Sequence, residues 1–331
     1  MDQLLAPPTH LSHPESLRLS QLAPKWLRSQ APSSLPYPIS LLTTSESAEQ
    51  WQASENLLVA CLRTGDDQTA SLCLDKLSQR FGPDNERVQA LRGLYDEATA
   101  ADEKALLNVL KSYDEILAEK PTNGPVTKRK VALLRGLGKV AEATKTLTEL
   151  LDSSPVDAEA WAECAELYFL QSMHSQAVFC LEEVLLITPN AWNIHARLGE
   201  MLFISASAAE DSGSKLKLLA DAQRSFCRSV ELCDDYLRGY YGLKLTSQRL
   251  LEVLSQTSSK PPKAQSSDAT VGDLPSPSLA SVEKLRELST KKLSEIVRRS
   301  MGGERGWDGY EQAELIAARE LLNRDTQSIQ R

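Results

Sequence analysis

Residues 158–191 read AEAWAECAELYFLQSMHSQAVFCLEEVLLITPNA, and the spacing inside and around this stretch decides the fold. A shift of 34 positions lays Ala143 on Ala177, Leu147 on Leu181 and Pro155 on Pro189, and Pro121 precedes Pro155 by the same interval. In the first half of the stretch, Ala162/Ala196, Glu166/Glu200 and Phe169/Phe203 keep that interval. Small and aromatic residues at fixed points, closed by a proline, describe a helix–turn–helix unit repeated along the chain. Ala165 and Ala177 are small where two antiparallel helices cross, so their backbones can approach. Trp161 and Tyr168 fill the groove beside that crossing. Pro189 cannot continue the second helix. Asp157 and Asn190 are predicted N-caps of the helices that follow them.

A 34-residue period is that of the tetratricopeptide repeat. Upstream, the unit 124–157 carries Ala143, Leu147, Leu150 and Pro155, and a unit at 51–84 has Leu58, Ala70, Leu74 and Leu77 in register. The segment 85–123 fits with about four extra residues around Ala100–Ala105. Downstream, Leu198, Gly199 and Leu202 open another unit, whose second helix resumes at Ala222 and Phe226 after about eleven extra residues, 205–215. A last first-helix, with Tyr241, Gly242 and Leu245, starts at Asp235, for about five and a half units.

The expected fold is therefore all-α: a tetratricopeptide-repeat α-solenoid, a right-handed superhelix of antiparallel helix pairs. One pair cannot bury its own apolar faces, whereas stacked pairs share a continuous core and leave a concave surface. The expected organisation is a proline-rich tail over 1–45, the solenoid over 46–254, a Ser/Pro linker or loop over 255–277, capping helices over 278–325, and a tail over 326–331. The tail holds seven prolines between Pro7 and Pro38, with one short helix expected around 16–22. The alternative for 278–325 is a separate binding element.

Composition narrows the function. Of 331 residues, 41% are apolar, enough for a sizeable core, and only 5% are aromatic, which favours helix over sheet. A net charge of −8 argues against general nucleic-acid binding, which needs a basic surface to neutralise phosphates. The six cysteines include no CxxC pair and only four histidines are present, so a metal site is not expected and the thiols read as reduced. The N-terminus carries Asp2 and prolines rather than a basic start and an apolar block, and no stretch reaches the roughly 18–20 apolar residues of a membrane span. Membrane association is expected to go through a partner.

No P-loop, GxGxxG or HExxH occurs. Glu182-Glu183, Glu231 and Asp234-Asp235 read as helix-surface or cap acids, and His174 and His195 lack an evident catalytic partner in the sequence. No catalytic residue, cofactor or metal is expected.

The wording within the period is more specific than a repeat consensus. PTNGPVTKRKVALLRGLGKVAEA (121–143), DAEAWAECAELYFLQSMHSQAVFCLEEVLLITPN (157–190) and RSFCRSVELCDDYLRGYYGL (224–243) resemble subunit 2 of the endoplasmic reticulum (ER) membrane protein complex. The resemblance runs back through ASLCLDKLSQRFGPDNERVQALRG (70–93) and leaves out the proline-rich tail, 205–215 and 255–277. It implies a non-catalytic scaffold on the cytoplasmic face of the ER membrane, peripheral and held through partners. Such a scaffold cradles cytosolic segments of membrane-spanning subunits and an MPN-like cytosolic subunit. The complex it implies inserts transmembrane segments, including tail anchors. The alternative is a tetratricopeptide adaptor in a chaperone or RNA-processing assembly.

The concave lining of such repeats comes from positions 2, 5, 9, 12 and 13 of each first helix. Here these include Lys128, Arg135, Glu159, Glu166, Phe169, Asn193, Glu200, Phe203 and Tyr236. Two readings of Phe169 and Phe203 stay open: an aromatic ladder flanked by carboxylates for a partner segment, or ordinary core between repeats. Lys128, Arg129 and Lys130 form the strongest basic cluster, a contact for an acidic partner or lipid headgroups, or a solvated face. Their side chains leave the helix about 100° apart, so one ligand cannot meet all three. The chaperone carboxylate clamp is disfavoured, because Ala132 and Glu166 stand where amide or cationic donors are required. Ala143, Pro155, Trp161, Ala165, Tyr168, Ala177, Pro189, Gly199, Ala222 and Gly242 are the residues that define the repeats.

Overall fold

The computed structural model describes residues 13–29, 48–258, 276–307 and 309–329. Among them lie fourteen α-helices and no strand. They are α1 (His13–Ser29), α2 (Ala48–Thr64), α3 (Asp67–Phe81), α4 (Glu86–Thr99), α5 (Glu103–Glu119), α6 (Gly124–Gly136), α7 (Val140–Ser153), α8 (Ala158–Leu170), α9 (His174–Ile187), α10 (Trp192–Ala208), α11 (Ser212–Leu232), α12 (Leu237–Ser258), α13 (Leu279–Met301) and α14 (Gln312–Ile329). The helices form two compact units, Met1–Pro155 and Val156–Arg331.

In both units each helix packs on the next, and first helices also touch the first helix one repeat on, as α4 touches α6 and α10 touches α12. Aspartate or asparagine caps six of these helices. Asp66, Asp102, Asn123, Asp157 and Asp211 each accept a hydrogen bond from the amide three residues on, at 2.7–3.1 Å. Such a bond satisfies one orphan donor of the first turn, a contribution of about 1 kcal/mol. Asn190 departs from expectation. The cap residue of α10 is Ala191, which has no side chain able to cap. The Asn190 Oδ1 instead accepts from Arg228 Nη2 at 3.4 Å.

In the first unit, a helix of seventeen residues occupies part of the segment read as a proline-rich tail. Pro24 lies inside it and removes one ladder hydrogen bond. Burial compensates: Leu19 and Ala23 pack with Ala53, Leu57, Ala60 and Cys61, and Trp26 Nε1 donates to Ser54 Oγ at 3.2 Å. Thus α1 covers the open side of the first helix pair. Residues 1–12 and 30–45 of that tail, and 259–275 of the 255–277 linker, lie outside the described residues.

In the second unit, the extra residues at 205–215 do not loop out. They lengthen α10 to 17 and α11 to 21 residues, leaving only Ala209–Asp211 as the turn. The added turns bury Ala206 and Leu219 against Leu250, Val253 and Val282. That extra core layer gives α12, at 22 residues, something to pack on along its length. Helix α13 lies along α12 as the second helix of its pair, and α14 closes the end. Leu293, Ile296, Val297, Leu315, Ala318 and Leu321 form one cluster there with Leu237 and Tyr240.

Ala143, Ala165, Ala177 and Ala222 are completely buried at the helix crossings. Trp161 and Tyr168 are half-buried, Trp161 meeting Phe179 edge-on at 6.1 Å, while Pro155 and Pro189 are exposed in the connections between pairs. Gly199 and Gly242 both approach one ring closely. A Cβ on Gly242 would lie 2.1 Å from the Phe226 ring and one on Gly199 2.9 Å from it. One phenylalanine of α11 is thereby held between two first helices.

Candidate partner-binding cleft

An open cleft of about 480 Å³ lies on the first-helix side of the second unit. Helix α10 contributes Asn193, Arg197, Glu200 and Phe203; α12 contributes Arg238, Tyr241, Gly242 and Leu245. Tyr236, just ahead of α12, and Glu314 and Ala317 of α14 complete the walls. Phe226, wedged between the two glycines, forms part of the lining.

Arg197 organises one end. Its Nε and Nη2 donate to both carboxylate oxygens of Glu166 at 2.7 and 2.6 Å, and its Nη1 donates to Glu200 Oε2 at 2.6 Å. The guanidinium also stacks over the Phe169 ring, 5.0 Å from its centroid. Burial disfavours its charge, yet the hydrogen bonds to Glu166 and Glu200 outweigh that cost and raise its pKa. At the other end, Arg238 Nε donates to Glu314 Oε1 at 2.6 Å, tying α12 to α14. Tyr236 has its pKa raised, first by burial and then by the carboxylates of Glu314 and Glu200.

Of the residues expected on the concave face, Asn193, Glu200, Phe203 and Tyr236 line this cleft. Glu166 and Phe169 reach its edge through Arg197. Phe203 is half-buried, with one side on the Leu219 and Leu250 cluster and the other in the cleft. Glu159 is exposed on the first turn of α8. Lys128 and Arg135 stand on α6 of the first unit, away from these residues in the chain.

The basic cluster is split among its own helices. Arg129 forms an ion pair with Glu97 of α4, which also accepts from Tyr113 OH at 2.5 Å. Lys130 Nζ lies 2.7 Å from Asp114 of α5. His174 sits beside the Phe169 ring at 5.5 Å, and His195 Nε2 lies 3.0 Å from the Pro189 carbonyl. The four buried cysteines and the two half-buried ones are all free thiols.

Arg197, Arg238 and Glu314 were not singled out from the sequence. For Arg197 a local signal existed, since it precedes Glu200 by one turn. Arg238 and Glu314 are 76 residues apart and carry none.

Comparison with known proteins completes the picture. The EMC2 TPR-like repeat domain matches residues 83–214. TPR repeat protein oca3 of Schizosaccharomyces pombe is 36% identical over 245 residues, covering 74% of this chain and 82% of that protein. ER membrane protein complex subunit 2 of Xenopus tropicalis is 33% identical over 197 residues, 60% of this chain and 62% of its own length. The subunit 2 of Saccharomyces cerevisiae is 27% identical over 201 residues, 59% of this chain and 68% of that protein. With the helix pairs, the repeat period and these matches together, the chain belongs to the ER membrane protein complex subunit 2 family of tetratricopeptide-repeat proteins.

Proposed function

We propose that this chain is a non-catalytic scaffold subunit of an ER membrane protein complex, peripheral on the cytoplasmic face of the ER membrane. It organises the cytosolic side of a machine that inserts transmembrane segments, tail anchors among them. Its partners are cytosolic segments of membrane-spanning subunits and an MPN-like cytosolic subunit. The observation that carries this reading is the cleft between α10, α12 and α14. Its ionic groups are paired with one another across helices, which fixes a shape for recognition, and its Phe203, Tyr241 and Leu245 offer apolar contact. No described helix is long and apolar enough to cross a membrane, so attachment through partners fits.

Extraction of membranes in mild detergent, followed by recovery of the tagged full chain, tests this. Multi-spanning ER membrane proteins are expected to co-purify in fixed ratio. Recovery of a wholly soluble chaperone or RNA-processing assembly instead would overturn the reading. Lys128→Glu probes the basic cluster while leaving the Arg129–Glu97 and Lys130–Asp114 pairs in place. If that cluster meets an acidic partner or lipid headgroups, recovery falls with no change in melting temperature; unchanged recovery makes it a solvated face.

A further inference from the structure

We infer that the cleft seats a cationic side chain, foremost arginine, from a partner segment that is otherwise apolar. This rests on reading the cleft as a partner site. The repeat itself supplies the template. On α8, Glu166 and Phe169 together hold a guanidinium, that of Arg197 on the next first helix. Thirty-four residues on, Glu200 and Phe203 present the same pair from α10. The next first helix is α12, and register is set by the crossing glycines: Arg197 stands two residues before Gly199, so its counterpart stands two before Gly242. That residue is Tyr240, which is buried and donates its hydroxyl to Asp234 Oδ1 at 3.0 Å. The chain therefore repeats the carboxylate and the ring of the cation seat without a cation at that register; Arg238, two residues earlier, feels the charge of Glu200 but hydrogen-bonds Glu314.

Charge points the same way. Three carboxylates, Glu166, Glu200 and Glu314, share two guanidinium groups, Arg197 and Arg238. Arg197 grips Glu166 with two nitrogens and Glu200 with one, and the Glu200 side chain remains 53% exposed. A planar guanidinium from a partner can stack on Phe203 and hydrogen-bond Glu200, as Arg197 does with Phe169 and Glu166. An ammonium makes the same charge contact without the fork. Tyr241, Leu245 and Ala317 supply the apolar surround.

The test replaces Tyr241 with the photocrosslinker benzoylphenylalanine in the full chain, irradiates cells and maps the crosslinked peptide in the purified assembly. The expected peptide carries Arg or Lys within three residues of the crosslink. Glu200→Gln is then expected to lower recovery of that partner by about fivefold or more, with the melting temperature unchanged. Glu200→Arg combined with Glu at the mapped partner position is expected to restore it. A crosslinked segment without a basic residue, no crosslink to any partner, or full recovery with Glu200→Gln overturns the inference. If the wild-type chain recovers no ER membrane proteins while Tyr241 still crosslinks beside a basic residue, the scaffold reading fails and the cation seat stands.

Discussion

Two crossings in this molecule use the same device to different ends. In the first unit, Gly93 of α4 admits Tyr113 of α5, with a hypothetical Cβ only 2.1 Å from the hydroxyl oxygen. In the second, Gly199 and Gly242 admit Phe226. The tyrosine has a polar handle. It donates to Glu97, which also holds Arg129, so the crossing is closed by a network joining α4, α5 and α6. Burial and the hydrogen bond to Glu97 both raise the Tyr113 pKa, which keeps it a neutral donor. Phenylalanine has no such handle, and the space before it opens as the cleft. A missing side chain lets helices close on a ring; whether the front is sealed or open depends on one hydroxyl and its partners.

The sharpest way to break this comparison is Phe226→Ala. The ring supports two first helices at once, so its loss is expected to cost about 3–5 kcal/mol in urea unfolding. A loss below 1 kcal/mol would mean the two helices do not depend on it. Gly242→Ala attacks the same contact from the other side and is expected to cost about 1–3 kcal/mol by overpacking. Adding Phe226→Leu should return part of that loss, and strict additivity of the two would show that the ring and the glycine are not in contact.

Tyr113→Phe makes the first crossing resemble the second. It should cost about 1 kcal/mol, because one buried hydrogen bond goes while Arg129 still serves Glu97. No measurable change would remove the hydroxyl from the account of why that crossing is sealed.

The smallest effect concerns a turn. Gly65 and Gly138 of the first unit take φ +73°, and Ser172 takes φ +60° at the equivalent turn of the second. A left-handed serine is strained, whereas glycine is not, so Ser172→Gly is expected to raise stability by about 0.5–1 kcal/mol. A lower melting temperature would show that the serine hydroxyl repays its strain.

Much of the architecture was legible because it is local. Each capping aspartate acts three residues away, and small residues at crossings recur after 34, as Ala143 with Ala177 and Ala165 with Gly199. Asn190 misled for the same reason: its neighbourhood in sequence resembles a cap, but Arg228, 38 residues on, engages it. The extra residues at 205–215 break the period, yet Ala206 among them and Leu219 just beyond find a core only once α12 and α13 are in place. In the candidate cleft, the carboxylates and rings at fixed positions of α8 and α10 could be read directly. Their ion pairing could not, since Arg197 belongs to neither recurring pattern.

By itself the sequence determined the helix pairs, the period that spaces them and the family, because those depend on residues within one period and on the words spelled inside it. The tertiary structure alone decided that Arg197 lies between Glu166 and Glu200, that Phe226 serves two glycines, and that α14 walls the cleft through Glu314 and Arg238. Those are contacts between side chains many residues apart. They follow from how the helices stack, and a period has no term for them.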